Sequence, residues 1–453
     1  MCAAVAVAWL LSLTQELPPG KLIEKVVCDG DPQQSYALYL PPGYSASRQW
    51  PILYCFDPAA RGRVPLERFQ EAAERYGWIV VGSNNSCNGP LEVSLGAMDA
   101  MWRDTHARFA IDARRVYAAG FSGGARMACR LGLAGELVAG VIACGGGFPG
   151  PDLPKKIPFV FFGAGGTEDF NGAEVKQLDR ELDAVGVRHR ILTYEGGHDW
   201  LVAPLALEAI EWMELEAQRA GRRPKDDALV DALFRKAVAK AENAEAAGRV
   251  PEAWIASAAL AEDFRGLKDV AAFEKKAAEL ASSKAVKTFL KRAEEQEQKR
   301  QQANAEVFGH MEALGDPAER GAALAALRAS IARLRRKMEA KEDSPDRRAA
   351  RQVVGGLSVV ASEEARDLLR QKQFLPAALR FEVAAATRPD RPTVLFEAGC
   401  AYAQAGQKST ALDALKRALE KGFKDAARLK EDPRLASLRQ EPGFAALLAK
   451  VAP

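Results

Sequence analysis

Histidine is scarce in this chain, with four copies in 453 residues, and no Cys/His cluster has the spacing of a zinc site. The seven cysteines (Cys2, Cys28, Cys55, Cys87, Cys129, Cys144, Cys400) are scattered without a C-x-x-C pair, so metal binding finds no support and no cofactor is expected. A Cys55–Cys87 bridge is conceivable in an exported protein, but small buried hydrophobes are the plainer reading. Long apolar runs are missing as well. The one uncharged N-terminal run, Ala3 to Leu13, has the length of a signal-peptide core and is too short to span a bilayer. It lacks a preceding Lys or Arg and a following Ala-x-Ala site. The expectation is a signal-like segment over residues 1–20 and a secreted or periplasmic protein, with a cytoplasmic one as the alternative. Cys2 precedes the apolar run, which excludes a lipoprotein reading.

What is abundant is balanced. Hydrophobic residues make up 48% and charged residues 27%, which excludes disordered, collagen-like and multispanning membrane classes. The net charge of +3 hides a split near Gly221. Residues 1–221 carry 20 Lys and Arg against 26 Asp and Glu, 26 of the 37 Gly and six of the seven Trp; the remainder carries 43 against 34. A Gly-rich part therefore precedes a charged, Ala-rich one, and the length suits more than one domain.

In the first part short β-branched and aromatic runs alternate with amphipathic stretches, which predicts a doubly wound, mostly parallel α/β sheet. Strands are expected at Leu22–Cys28, Tyr36–Leu40, Ile52–Phe56, Trp78–Gly82, Val116–Phe121, Val138–Cys144, Phe159–Phe162 and Arg190–Tyr194. Helices are expected between and after them, and chemistry belongs at the carboxyl ends of the strands.

Three motifs fall there. Gly120-Phe121-Ser122-Gly123-Gly124 is a G-x-S-x-G between a strand and a helix, the setting in which a serine projects above the sheet as a nucleophile. Gly196-Gly197-His198 follows the last strand, and an imidazole there suits proton transfer near neutral pH. The run Gly163 to Asn171 is read as a loop after Phe162 and offers Glu168 and Asp169. Asp169, just before the next helix, is the preferred acid and Glu168 the alternative. The chain order Ser, acid, His is that of α/β-hydrolases.

Tyr39-Leu40-Pro41-Pro42-Gly43-Tyr44, Pro51 to Asp57, Gly-Phe-Ser-Gly-Gly and Gly-Gly-His together resemble the α/β-hydrolase superfamily, in particular polyhydroxybutyrate-depolymerase, feruloyl-esterase and dienelactone-hydrolase-like esterases. The resemblance covers about residues 22 to 217. It implies hydrolysis of carboxylic esters through an acyl-Ser122 intermediate, with the oxyanion held by the backbone N–H of Gly123 and of Ala59 or Ala60. Asp57-Pro58 replaces the His-Gly of typical lipases, which argues against long acyl chains. The short stretch from Gly145 to Pro158 leaves no room for a cap, which fits esters on bulky or polymeric substrates and equally small activated esters. A prolyl-oligopeptidase-like serine peptidase and a non-catalytic hydrolase-fold scaffold are the alternatives.

Beyond Pro224 the helical spacing of Ala, Leu, Glu, Lys and Arg runs to the end. Ala377, Phe381, Ala384 and Pro389 recur 34 residues on as Ala411, Leu415, Ala418 and Phe423, a period that resembles tetratricopeptide repeats. The expected organisation is 21–221 catalytic, 222–350 helical with degenerate repeats, and 351–453 tetratricopeptide-like, the helical module serving protein or peptide binding or self-association. The basic run Arg333 to Lys337 lies in a charged helical stretch, Ala285 to Lys341, where acids such as Glu294, Glu295 and Glu297 alternate with bases, and it reads as a solvated helix face, not as a nucleic-acid site.

Overall fold

The computed structural model describes residues 17–150 and 152–451. Most of the expected signal-like segment therefore lies outside the described residues. No helix among the described residues is long and apolar enough to cross a membrane. Cys55 and Cys87 are not bridged to each other, and Cys55 is fully buried. By packing, the chain forms two compact units: Met1–Ala164, Leu178–Leu192 and Trp200–Ala228 make one, and Gly165–Gln177, Thr193–Asp199 and Leu229–Pro453 make the other.

The chain forms eight strands, the first six wholly and the last two mainly in the first unit: β1 (Leu22–Cys28), β2 (Asp31–Tyr39), β3 (Trp50–Phe56), β4 (Ile79–Ser83), β5 (Ile111–Phe121), β6 (Gly140–Cys144), β7 (Val160–Gly166) and β8 (His189–Tyr194). Between them run α1 (Arg63–Tyr76), α2 (Leu91–Arg108), α3 (Gly123–Leu133) and α4 (Gly172–Ala184), with α5 (Ala203–Arg219) at the end. The strand order is β1-β2-β4-β3-β5-β6-β7-β8. β1–β2 and β2–β4 pair antiparallel, whereas β3–β4, β3–β5, β5–β6 and β6–β7 pair parallel. This is the α/β-hydrolase fold, and the described residues between β6 and β7 carry no inserted helix or strand.

The parallel strands lie between two helical layers, so they are buried on both faces and read as unbroken apolar runs. β3, β4 and β6 are buried at every residue. The core between sheet and helices gathers Trp50, Tyr54, Phe56, Phe69, Phe161 and Trp200. Truncating such a ring to Ala costs about 3–5 kcal/mol. Buried polar ends are satisfied in place: Trp78 Nε1 donates to Glu214 Oε1 at 2.6 Å, and Tyr36 OH to Asp104 Oδ2 at 2.6 Å.

Three strands extend well past their expected limits. β2 starts at Asp31 rather than Tyr36, because Cys28 of β1 pairs with it there. β5 starts at Ile111, because Trp50 of β3 pairs with it there. β7 continues through Gly163-Ala164-Gly165-Gly166, which the composition had read as loop. Gly163 and Ala164 pair with Ala143 and Cys144 of β6, and a Cβ on Gly163 would stand 2.6 Å from Ile191 Cδ1. The glycines are there for close packing within the sheet.

The second unit is helical: α6 (Asp227–Ala246), α7 (Val250–Phe264), α8 (Ala271–Ala281), α9 (Lys284–Ala313), α10 (Arg320–Met338), α11 (Pro345–Arg370), α12 (Phe374–Thr387), α13 (Pro392–Gln404), α14 (Lys408–Glu420), α15 (Ala426–Glu431) and α16 (Pro442–Ala449). The residues with a 34-residue period, Ala377, Phe381 and Ala384 on α12 and Ala411, Leu415 and Ala418 on α14, are all buried. A Cβ on Gly399 of α13 would lie 2.7 Å from Leu415 Cγ, so the small residue is what lets α13 and α14 approach. Phe396 and Phe423 stack at 4.5 Å between ring centroids. Buried Glu382 of α12 takes Arg328 at 2.7 Å and also pairs with Arg417. In the basic run, Arg333 donates to Glu306 and Lys337 to Asp346, so part of its charge is spent within the unit.

Candidate active site

Ser122 sits between the last residue of β5 and the first of α3 with φ 54° and ψ −119°. A non-glycine residue in that region stores strain of order 1–3 kcal/mol, and surrounding structure must hold it there. The Ser122 N–H donates to Cys144 O at the end of β6 at 2.8 Å. Both outer glycines of the motif are forced by backbone proximity: a Cβ on Gly120 would stand 2.0 Å from Gly124 O, and one on Gly124 would stand 1.9 Å from Phe56 O. Only glycine lets α3 start this close to β5 and β3. Gly123 opens α3, so its N–H has no carbonyl partner inside the helix and lies at the positive end of the dipole.

The loop after β3 is organised by one carboxylate. Buried Asp57 accepts Ala59 N–H at 2.9 Å, Arg61 Nε and Nη2 at 2.8 Å each, and Trp200 Nε1 at 2.8 Å. The Ala60 N–H goes to Asp57 O at 3.1 Å. Both N–H groups named from sequence as the second oxyanion donor thus bond to Asp57, Ala59 to its side chain and Ala60 to its carbonyl. The polar side chain that does lie against Gly123 is Asn88, whose Oδ1 occupies the place a Gly123 Cβ would take, at 1.9 Å. Its own N–H donates to Pro58 O at 2.8 Å. The signal for Asn88 was its position in the Ser-Asn-Asn-Ser-Cys-Asn run at the carboxyl end of β4, a place where sheets of this kind put ligand-facing groups.

In the second unit the loops that follow β7 and β8 are joined through their backbones. Thr167 N–H donates to Tyr194 O and Glu168 N–H to Gly196 O, each at 2.8 Å. Asp169 is fully buried, and its Oδ1 accepts from His198 Nδ1 at 2.7 Å and from Asn171 N–H at 2.8 Å. Oδ2 is buried with no hydrogen-bond partner among the described residues. With Nδ1–H given to the carboxylate, Nε2 is the basic nitrogen of the ring. The Phe170 ring packs on the imidazole at 4.0 Å between centroids. Glu168, the alternative acid, points elsewhere: both of its oxygens take Arg351 Nη1, at 2.8 and 2.7 Å.

The other histidines have different company. His106 stacks on Trp102 at 4.2 Å, with its Nδ1 2.9 Å from Trp102 O. His189 reaches Asp179, an exposed carboxylate, at 3.3 Å, and His310 lies on α9. Of the residues expected from sequence, Asp169 and His198 are brought together in the second unit, Ser122 and Gly123 share the elbow of the first, and Glu168 and Ala59 have other partners. No group of three or more His, Cys, Asp or Glu among the described residues is placed to hold a metal ion.

No family model and no curated protein matches the chain. Among solved structures, the apo S-formylglutathione hydrolase of Staphylococcus aureus is 15% identical, with 40% of this chain and 90% of that chain covered and a TM-score of 0.32. A ferulic acid esterase is 16% identical, with 43% and 95% covered and a TM-score of 0.34. Esterase B of Lactobacillus Rhamnosis is 16% identical, with 46% and 90% covered and a TM-score of 0.36.

Proposed function

We propose that this chain is a serine hydrolase that cleaves carboxylic esters through an acyl-Ser122 intermediate. The observation that carries the reading is the backbone of Ser122, a non-glycine residue at φ 54° and ψ −119° on a sharp strand-to-helix turn. A plain tight turn gains nothing from that strain, whereas a nucleophile gains exposure above the sheet and a helix N-terminus beneath the developing charge.

In this mechanism His198 Nε2 takes the proton of Ser122 Oγ as the oxygen attacks the ester carbonyl carbon. The Asp169 carboxylate holds the ring in the Nδ1–H tautomer and balances the imidazolium that forms. The Gly123 N–H at the start of α3 faces the oxyanion of the tetrahedral intermediate. Collapse of that intermediate breaks the bond to the alcohol, which leaves with the proton from His198. Water then attacks the acyl-Ser122 carbonyl by the same proton route, freeing the acid and restoring the enzyme.

An uncapped connection between β6 and β7 supports access for bulky or polymeric esters. The 34-residue period, with its buried small residues, supports a tetratricopeptide-like module for protein or peptide binding or self-association. Ser122→Ala, assayed with p-nitrophenyl acetate and a feruloyl ester, is the direct test. Loss of turnover together with loss of fluorophosphonate labelling is expected, and turnover that survives the substitution rejects the reading. A peptide substrate cleaved in preference to both esters points to a peptidase instead.

A further inference from the structure

One face of α11 touches both loops that carry the acid and the histidine. Arg348, Arg351, Gln352, Gly355 and Gly356 stand at helical spacings of three and four, so they line a single side. Arg348 meets Glu195 of the histidine loop at 3.1 Å. Arg351 takes both oxygens of Glu168. Gln352 Nε2 donates to Asp169 O at 3.1 Å and to Thr167 O at 3.3 Å. Its Oε1 accepts from Gln296 Nε2 of α9 at 3.1 Å, and the same Gln296 nitrogen donates to Thr167 O at 3.0 Å. Gly356 leaves room for Phe170, whose Cβ is 3.1 Å from where a Gly356 Cβ would stand, and Phe170 packs on His198.

The chemistry of the acid loop makes such a cradle necessary. Glu168 and Asp169 are adjacent carboxylates, and the Glu168 N–H is already bonded to Gly196, two residues from His198. Within the loop the Asn171 N–H orients Asp169 Oδ1 at 2.8 Å, but the Glu168 carboxylate is held from outside it. Arg351 keeps it from the imidazole, because a guanidinium held by both oxygens of Glu168 fixes that side chain away from the ring. Gln352 completes the choice by giving the Asp169 carbonyl a second donor at 3.1 Å, beside the Gly172 N–H at 2.9 Å, and so ties the acid's backbone to α11.

We infer that Arg351 and Gln352 of the helical region are positioning residues for the Asp169–His198 pair, Arg351 by sequestering the competing carboxylate of Glu168 and Gln352 by anchoring the Asp169 backbone. The inference rests on the hydrolase reading for its kinetic consequences, while the geometry of the pair can be followed without it.

The experiment uses the full-length protein. Arg351→Met is expected to lower kcat on p-nitrophenyl acetate by tenfold to a hundredfold, on the order of what a displaced catalytic group costs, with KM unchanged. Glu168→Gln alone is expected to be near wild type. The double variant R351M/E168Q is expected to recover kcat to within about threefold, since the two residues act on each other. Lost packing would not be restored by a second substitution in the partner. Gln352→Glu, which keeps shape and removes the donor, is expected to lower kcat with KM unchanged, and Arg351→Lys to fall between wild type and R351M.

The low-field proton resonance of the His198 Nδ1–H···Asp169 bond reads the pair directly. It should be present in wild type and in Ser122→Ala, and weakened or lost in R351M and Q352E. Wild-type kcat and an unchanged resonance in both variants overturn the inference. So does a loss of kcat in R351M that E168Q fails to restore. If R351M does not fold, R351K and Q352E carry the same readout. Turnover surviving in Ser122→Ala refutes the hydrolase reading alone, because the resonance still reports whether α11 holds the pair.

Discussion

The serine elbow and the acid–histidine pair reach their geometry by opposite routes. Ser122 is fixed by residues within a few positions of it and by the strands beside it: Gly120, Gly124, Cys144 O and Phe56 O. Its constraint is steric and made of backbone, so it leaves a five-residue signature. Asp169 and His198 sit on loops tied by two backbone bonds and held from outside by side chains of α9 and α11, with Glu168 and Arg351 separated by 183 positions. That constraint is polar and made of single long side chains, so it leaves no local pattern. A motif can be legible because its cause is local, and a neighbouring element of the same machinery can be illegible because its cause is distant.

The comparison can be broken most directly at the two ends of the proton route. Asp169→Asn should lower kcat by about 10⁴-fold, as loss of a tautomer-fixing acid does. Combining it with Ser122→Ala should add little beyond the Ser122→Ala loss, because the groups act as one unit; full multiplication of the two losses in steady-state kinetics contradicts a shared mechanism. Next in size is the elbow's steric cause. Gly124→Ala drives a methyl into Phe56 O and should destabilise the fold by more than about 4 kcal/mol, in the exceptional range for a point change. Thermal unfolding within a few degrees of wild type contradicts the steric account.

Smaller effects belong to the helical unit alone. Burial opposes ionisation of Glu382, but the hydrogen bond and charge of Arg417, with Arg328, outweigh it and hold the carboxyl below the usual glutamate value. A depressed folded-state pKa gives stability that is fully present above the unfolded value of about 4.3 and is lost as pH falls below it toward the folded value. Arg417→Met should cost about 1–3 kcal/mol at neutral pH, because Arg328 still faces the carboxylate. It should also flatten the stability profile below pH about 4.3; an unchanged acid slope in urea titrations speaks against the coupling. Smallest is Ser344→Ala. Ser344 Oγ caps α11 by accepting Arg347 N–H at 3.2 Å, and its loss should cost about 1 kcal/mol, visible as a shift in urea midpoint.

The sheet was legible because buried parallel strands are continuous apolar runs, and β3, β4 and β6 fell where those runs predict. β7 was cut short at Phe162 in the sequence reading because Gly163 to Gly166 have low strand preference. Their role became visible only when β6 and Ile191 were placed beside them. Ser122 and His198 stood out by motif and scarcity, and the structure puts the first on a strand-to-helix turn and the second beside Asp169. Asp169 and Glu168 could be ranked but not separated, since the residue that separates them, Arg351, looks like any surface arginine of a charged helix. The face of α11 that cradles the loops was missed because it is polar and glycine-bearing, and helical periodicity is ordinarily searched in apolar residues. Ala59 was assigned by its place in the chain, and the Asp57 side chain that occupies its N–H is a contact within the loop that no pattern announces.

The chain passes between its two compact units five times, after Ala164, Gln177, Leu192, Asp199 and Ala228. No single boundary therefore yields both halves intact. A gene fragment ending at Gly221 would still encode Ser122, Asp169 and His198 while discarding Gln296, Arg351 and Gln352. The helices taken alone would in turn keep the α11 face without the two loops it holds. A substitution on α11 is therefore also a substitution beside the Asp169–His198 pair.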